Sequence, residues 1–207
     1  MNLPHFINTI DEPKEITFTE KKSNFIAQVY SVQKEEDVKS YLKEIKKKYY
    51  DASHYCYAYK FADGTFRYSD AGEPSGTAGI RIMNAIDHFD LINQLVIVSR
   101  YFGGTKLGVG LLGKTYFNAA CQVLDESIVI KKHLFQKVNI SVEFDQISNV
   151  HRSLSGDQSV ILNTEYSEQV KFYCLIKPDG IDEIIRKLTE MSQNKFILEK
   201  LEEFIYQ

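Results

Sequence analysis

From residue 134 onward, apolar and polar residues alternate in an order that few folds can satisfy. FQKVNISVEF, SVILNTEYS, QVKFYCLIK and ILEKLEEFIY each read as strands rich in β-branched and aromatic residues. Between them Ile147, Val150 and Leu154, then Ile181, Ile184, Ile185, Leu188 and Met191, recur at helical spacing. The resulting order, β-α-β-β-α-β in 74 residues, is that of the split βαβ, or ferredoxin-like, arrangement. A basic segment, KKH at 131–133, separates this stretch from a first part of different texture. The expected organisation is a two-domain α+β protein with domains at 1–133 and 134–207.

The first part opens with two strands across EITFTEKKSNFIAQVYSV, joined around residues 21–24. Val38, Tyr41, Leu42, Ile45 and Tyr49 then mark a helix whose acidic start and basic end both suit its dipole. SHYCYAYKF is an aromatic-rich strand that turns through ADGT into a short partner, FRYS. Its tyrosines fall on one face, with His54, Cys56 and Ala58 on the other; helix packing is the commoner use of such a face, a base-stacking platform the rarer one. A helix follows through IRIMNAIDHF, QLVIVS is a buried strand, and Leu112, Tyr116, Ala119, Ala120 and Val123 hold helical spacing to about Glu126.

Composition narrows the class. Hydrophobic residues at 43% and charged ones at 26% describe an ordinary globular chain. No apolar run approaches the roughly 20 residues of a membrane helix, and MNLPHFINTIDEPKE lacks the pattern of a secretory signal. Cys56, Cys121 and Cys174 are widely spaced and odd in number, as expected of reduced thiols in the cytoplasm. The net charge is −3, but residues 1–133 hold 17 basic against 16 acidic residues, and 134–207 hold 8 against 12. Polyanion contact therefore belongs to the first part. The five histidines lack metal-ligand spacing, so no metal and no cofactor is expected.

One string argues for an enzyme. GVGLLGKT at 108–115 satisfies the phosphate-loop pattern G-x-x-x-x-G-K-[ST]. In such a loop the strand ends at the first glycine and the helix begins at the GK[ST]. Here eight residues separate the end of QLVIVS from Gly108, and the helical spacing is already under way when Gly113 and Lys114 arrive. CQVLDE offers Asp125 as a magnesium ligand, but too close in sequence for a parallel crossover. The match reads as coincidence.

SDAGEPSGTAG (69–79) with VSRYFGGTKLGVGLLGKTY (98–116), preceded by KKSNFIA and SHYCYAY, resembles the Impact/YigZ family in order and spacing. The resemblance covers about 130 residues strongly; the rest is similar to the small C-terminal domain of bacterial members. It departs at Ala71, Arg81, Leu111 and Lys114, and the last two changes create the GKT string. It implies a first domain like the second domain of a small-subunit ribosomal protein, and a second like the fifth domain of elongation factor G. Eukaryotic members restrain the amino-acid-starvation kinase that acts on translation initiation. For bacterial members the family implies a cytoplasmic protein linked to translation.

On that basis the two glycine-rich stretches are the expected binding surface. In the first, Asp70, Gly72, Glu73 and Pro74 lead into Ser75, Gly76, Thr77 and Gly79, whose amides at a helix start would attract a small anion. A capped helix after a proline turn is the plainer reading. In the second, Arg100 and Lys106 flank Tyr101 and Phe102 beside Gly103 and Gly104, the mixture of cation and ring that RNA binding uses. Gly108, Gly110 and Lys114 extend it. The expected function is regulatory binding to the ribosome, to RNA or to a translation-associated protein, with no catalytic residue. The alternative is a nucleotide-dependent kinase or hydrolase with a phosphate at 76–79 or 108–115, or a hydrolase using Asp70, Glu73 and Ser75.

Overall fold

The computed structural model describes residues 3–207. The chain divides into two compact units, 1–131 and 132–207. In the first, a short strand β1 (Phe6–Thr9) precedes β2 (Lys14–Glu20), β3 (Ser23–Ser31), α1 (Glu35–Lys48), β4 (His54–Lys60) and β5 (Phe66–Ser69). Then come α2 (Gly79–His88), β6 (Gln94–Tyr101) and α3 (Val109–Asp125). The strands form an antiparallel sheet in the order β2-β3-β6-β4-β5. β6 lies at its centre, which explains the unbroken apolar run QLVIV: its residues are buried on both faces.

Alternation along the strands separates two cores. Phe25, Ala27, Val29, Cys56, Ala58, Val96 and Val98 point toward α2 and α3 and pack on Ile82, Ile86, Leu112 and Tyr116. Leu95, Ile97, Tyr59 and Phe61 point the other way and meet Val38 and Ile45 of α1. Tyr55 and Tyr57 pack against that second core, so the tyrosine face of β4 is a helix seat rather than a stacking platform. Asp37 caps α1 by accepting the N–H groups of Gln33 and Lys34 at 2.9 and 3.2 Å. Sequence reading missed β1. Its buried Thr9 and the Ile10 carbonyl accept hydrogen bonds from Gln94 Nε2 at 2.6 and 3.0 Å.

The second unit contains β7 (Ile130–Val142), α4 (Ile147–Ser153), β8 (Ser159–Tyr166), β9 (Val170–Ile176), α5 (Ile181–Ser192) and β10 (Phe196–Tyr206). β10, β7, β9 and β8 lie side by side, each pair antiparallel. First and third strands are central, as the split βαβ order requires. Val138, Ile140, Phe172 and Cys174 on one sheet face pack against Val150 and Leu154 of α4 and Ile184 and Leu188 of α5.

Candidate functional site

The first glycine-rich stretch is a loop that satisfies itself. A helix start leaves amides without intrahelical partners, and Ala78, at the cap of α2, supplies no side chain to bond them. Asp70 does so instead. Its Oδ2 accepts the Gly76 N–H at 2.8 Å, and its Oδ1 accepts those of Ala78 at 2.9 Å and Gly79 at 2.8 Å. Burial raises the Asp70 pKa, but the three backbone donors outweigh it and hold the carboxyl below its ordinary value. This corrects the expectation of a small anion at residues 75–79: the amides of Gly76, Ala78 and Gly79 already hold the chain's own carboxylate, and that of Thr77 donates to the Pro74 carbonyl. Gly79 is fixed by close approach, because a Cβ there would lie 2.7 Å from the backbone N and C of Ser69. Thr77 Oγ1–H donates to the Pro74 carbonyl at 2.6 Å, which tightens the turn.

Arg100 overturns a second expectation. Its place in β6 continues the parity of Val96 and Val98, so its side chain enters the α2–α3 core and is only 5% exposed. Nη1–H donates to Glu73 Oε1 at 2.6 Å, with both side chains buried. Tyr116 Oη–H donates to the same oxygen at 2.8 Å. Arg100 Nη2 reaches Ser23 Oγ at 3.4 Å, and its guanidinium lies 5.3 Å from the Phe25 ring and 5.5 Å from that of Phe102. His54, the cross-strand neighbour of Arg100, turns Nδ1 to the Ala71 carbonyl at 3.0 Å and Nε2 toward Glu73 Oε2 at 3.8 Å.

Arg100, Tyr101 and Phe102 therefore do not form one surface. Tyr101, one residue on, emerges on the opposite face and donates to Asp51 at 2.8 Å. Of the three, only Phe102 is substantially exposed. Gly103 passes so close to Lys22 that a Cβ would overlap its carbonyl, which folds the second glycine-rich loop back on β3.

The enzyme alternatives find no assembled chemistry. Gly108 is the cap of α3, so Gly113 and Lys114 lie inside the helix, and Gly113 is buried. A Cβ on Gly113 would come within 3.3 Å of Arg81 Nε. The GKT string at 108–115 is thus ordinary helix, as its spacing indicated, and the alternative phosphate site at 76–79 is closed by Asp70. The hydrolase set fails as well. Asp70 is engaged by backbone, Glu73 by Arg100 and Tyr116, and Ser75 makes no hydrogen bond among the described residues. Cys56 is no nucleophile: burial pushes its thiol up to about 12, and Sγ sits 3.0 Å from the Asp70 carbonyl and 3.3 Å from Tyr116 Oη. No group of metal-ligating side chains occurs among the described residues.

What the two stretches build together is a surface at the start of α3. A pocket of about 340 Å³ is lined by Glu73, Pro74, Arg100, Phe102, Lys106 and Gly108, with Leu107, Val109 and Leu112. A second, of about 390 Å³, is lined by Gly76, Gly110 and Lys114, with Arg81, Asn84, Gly113 and Phe117. Arg81, Lys106 and Lys114 are exposed and form no ion pair among the described residues. The first turn of α3 contains no acidic residue and its cap makes no side-chain bond. Asp70, Thr77 and Gly79 serve as scaffold, and Gly72 is an exposed turn position with φ +88°. Sequence reading missed Tyr116 and Ser23 as parts of this arrangement. Tyr116 read as one more apolar helix position, and its hydroxyl, among buried carbons, was the available sign.

Residues 21–124 match the Impact N-terminal domain, and residues 140–195 match a domain of unknown function, DUF1949. The IMPACT family member YvyE of Bacillus subtilis is 28% identical over 92% of this chain and 89% of its own length. An IMPACT family member from Thermus thermophilus is 30% identical over 77% of this chain and 87% of its own. A crystal structure of a hypothetical protein superimposes with a TM-score of 0.72 at 25% identity, covering 97% of this chain and all of that one. With matches across both units and the glycine-rich loops inside the first, the chain belongs to the Impact family.

Proposed function

We propose that this protein is a translation-linked regulatory binding protein of the cytoplasm, and that its first unit meets RNA through the start of α3. One observation carries this reading: Arg81, Lys106 and Lys114 are exposed without carboxylate partners among the described residues, around a helix start that has no acid of its own. Cations left unpaired at an acid-free helix N-terminus favour phosphate twice, through charge and through free amides. Phe102, 48% exposed beside them, supplies a ring on which a base can stack. Family membership supports the link to translation, as do the likenesses to ribosomal-protein and elongation-factor domains that the resemblance implies. The second unit, with its excess of acid, is assigned docking or orientation rather than RNA capture.

The test is ribosome co-sedimentation at two salt concentrations, comparing the wild type with Lys106→Ala/Lys114→Ala. Arg100 stays intact because its loss would injure the core. Pelleting that weakens with salt and disappears in the double variant is the expected result, since phosphate contacts are steeply salt-dependent. Pelleting insensitive to salt and nuclease would assign the surface to a protein partner. No pelleting at either salt would overturn direct ribosome binding.

A further inference from the structure

The cleft between α2 and α3 carries charge that the fold does not use. Arg81 comes from the first turn of α2 and Lys114 from α3, and both line the pocket of about 390 Å³. Asn84, three residues after Arg81, shares its face of α2 and lines the pocket too. No carboxylate is among the lining residues. Arg81 and Lys114 form no ion pair among the described residues, and the Asn84 side chain makes no hydrogen bond among them. Gly113 shapes the cleft. With no side chain there, Arg81 lies across the backbone of α3, its Nε 3.3 Å and its Cγ 3.7 Å from where a Cβ would stand. The arginine stem is thereby packed while the residue stays exposed, so less freedom is lost when its head engages a ligand.

Two cations and an amide in one acid-free cleft suit an anion with more oxygens than a backbone phosphate offers. A phosphodiester within a strand has one charge and two free oxygens. A phosphomonoester has three, with a charge of roughly −1.5 to −2 at neutral pH. A guanidinium takes two such oxygens as a fork, and an ammonium meets one as a point charge. We infer that the α2–α3 cleft is a phosphomonoester site that holds the terminal phosphate of an RNA strand. Arg81 takes two of its oxygens, Lys114 the third, and the Asn84 amide adds a donor. A diester in the same place leaves one cation without an oxygen. This assignment rests on the RNA reading above and is tested separately from it.

The experiment is fluorescence anisotropy with uridine hexamers ending in a 5′-phosphate, in a 3′-phosphate or in hydroxyls alone. Wild type, Arg81→Gln, Lys114→Gln and Lys106→Ala are compared. All three side chains are exposed, and thermal melts verify that the variants remain folded. At least one phosphorylated hexamer is expected to bind about tenfold tighter than the hydroxyl-ended one, through its added charge-assisted hydrogen bonds. Arg81→Gln and Lys114→Gln are each expected to bring that ratio close to one. Lys106→Ala, outside the cleft, is expected to weaken all three hexamers and keep the ratio. Equal affinity for all three in wild type, or a ratio that survives either glutamine substitution, overturns the end site and leaves the RNA reading standing. Inorganic phosphate and uridine monophosphate serve as competitors. Displacement by either at concentrations as low as the hexamer needs would assign the cleft to a free phosphate and overturn the RNA end. No hexamer binding also overturns it; if ribosome pelleting is absent too, both readings fall.

Discussion

Two helices of the first unit begin in glycine-rich sequence, and they meet the same electrostatic demand in opposite ways. The start of α2 is filled by Asp70, whose two oxygens take three backbone donors. The start of α3 has Gly108 at its cap, no acid in its first turn, and Lys106 and Lys114 close by in sequence. One helix start is a closed internal joint and the other an open surface. Glycine content alone does not distinguish them. What distinguishes them is whether the chain supplies its own anion, and that decides which loop is architecture and which is free to bind.

The layer beneath both starts carries the largest expected effect. Arg100→Ala would leave Glu73 buried with Tyr116 as its remaining donor and is expected to cost about 3–5 kcal/mol in urea denaturation. Glu73→Gln/Arg100→Met, which removes both charges, should be less destabilised than Arg100→Ala alone. If the double variant is the less stable protein, the pair is not the coupled unit that the comparison assumes.

Asp70→Asn tests the closed start directly. An amide can still accept, but it loses the charge and turns an N–H₂ toward backbone donors, for an expected cost of about 2–3 kcal/mol. The pH dependence follows from the lowered carboxyl. A depressed folded-state pKa contributes stability that is present above the unfolded value, about 3.9, and is lost as pH falls through the folded one. The gap between wild type and variant should therefore be constant at neutral pH and shrink below about pH 4. A gap that persists unchanged in acid would mean that the ionised carboxylate is not what closes α2.

Much of this architecture was legible in the sequence, and the failures have local causes. The order of elements in the second unit followed from periodicity alone, because each strand and helix there is bounded by polar turns. The helical reading of Gly113 and Lys114 followed from Leu112 and Tyr116. Arg100 was misplaced because the apolar string QLVIVS ends at Ser99, whereas β6 runs on to Tyr101. The parity of Val96, Val98 and Arg100 already indicated the inner face, but a charged residue at a strand end reads as loop. The closure by Asp70 could not be read at all. It joins a carboxylate to amides six to nine positions later, through a turn whose shape depends on Gly79 passing against Ser69. The short strand β1 was missed because four residues carry too little pattern to stand out.

Cys56 reports on the closed loop from inside. Its thiol, pushed up to about 12 by burial and in contact with the Asp70 carbonyl, should resist a thiol reagent at pH 8 until the loop opens. Cys174 is also pushed up to about 12, whereas Cys121 is only half buried and should react first. In Asp70→Asn the Cys56 labelling rate should rise several-fold while that of Cys174, in the other unit, stays as it was. Equal acceleration at both sites would indicate general unfolding rather than a loosened joint.

The smallest effect sharpens the comparison most. Val109 is the first residue of α3 and 65% exposed, so Val109→Glu places an acid where the chain has none without disturbing the core. An anion at an exposed helix start is worth about 0.3–1 kcal/mol, so the variant should melt slightly higher than wild type. The same charge should weaken RNA capture, because it competes for the amides and cations that phosphate would use. Greater stability with poorer binding would convert the open start into a second closed one, reproducing at α3 what Asp70 does at α2. A lower melting temperature would mean that α3 already has a negative partner, and the distinction between the two starts would collapse.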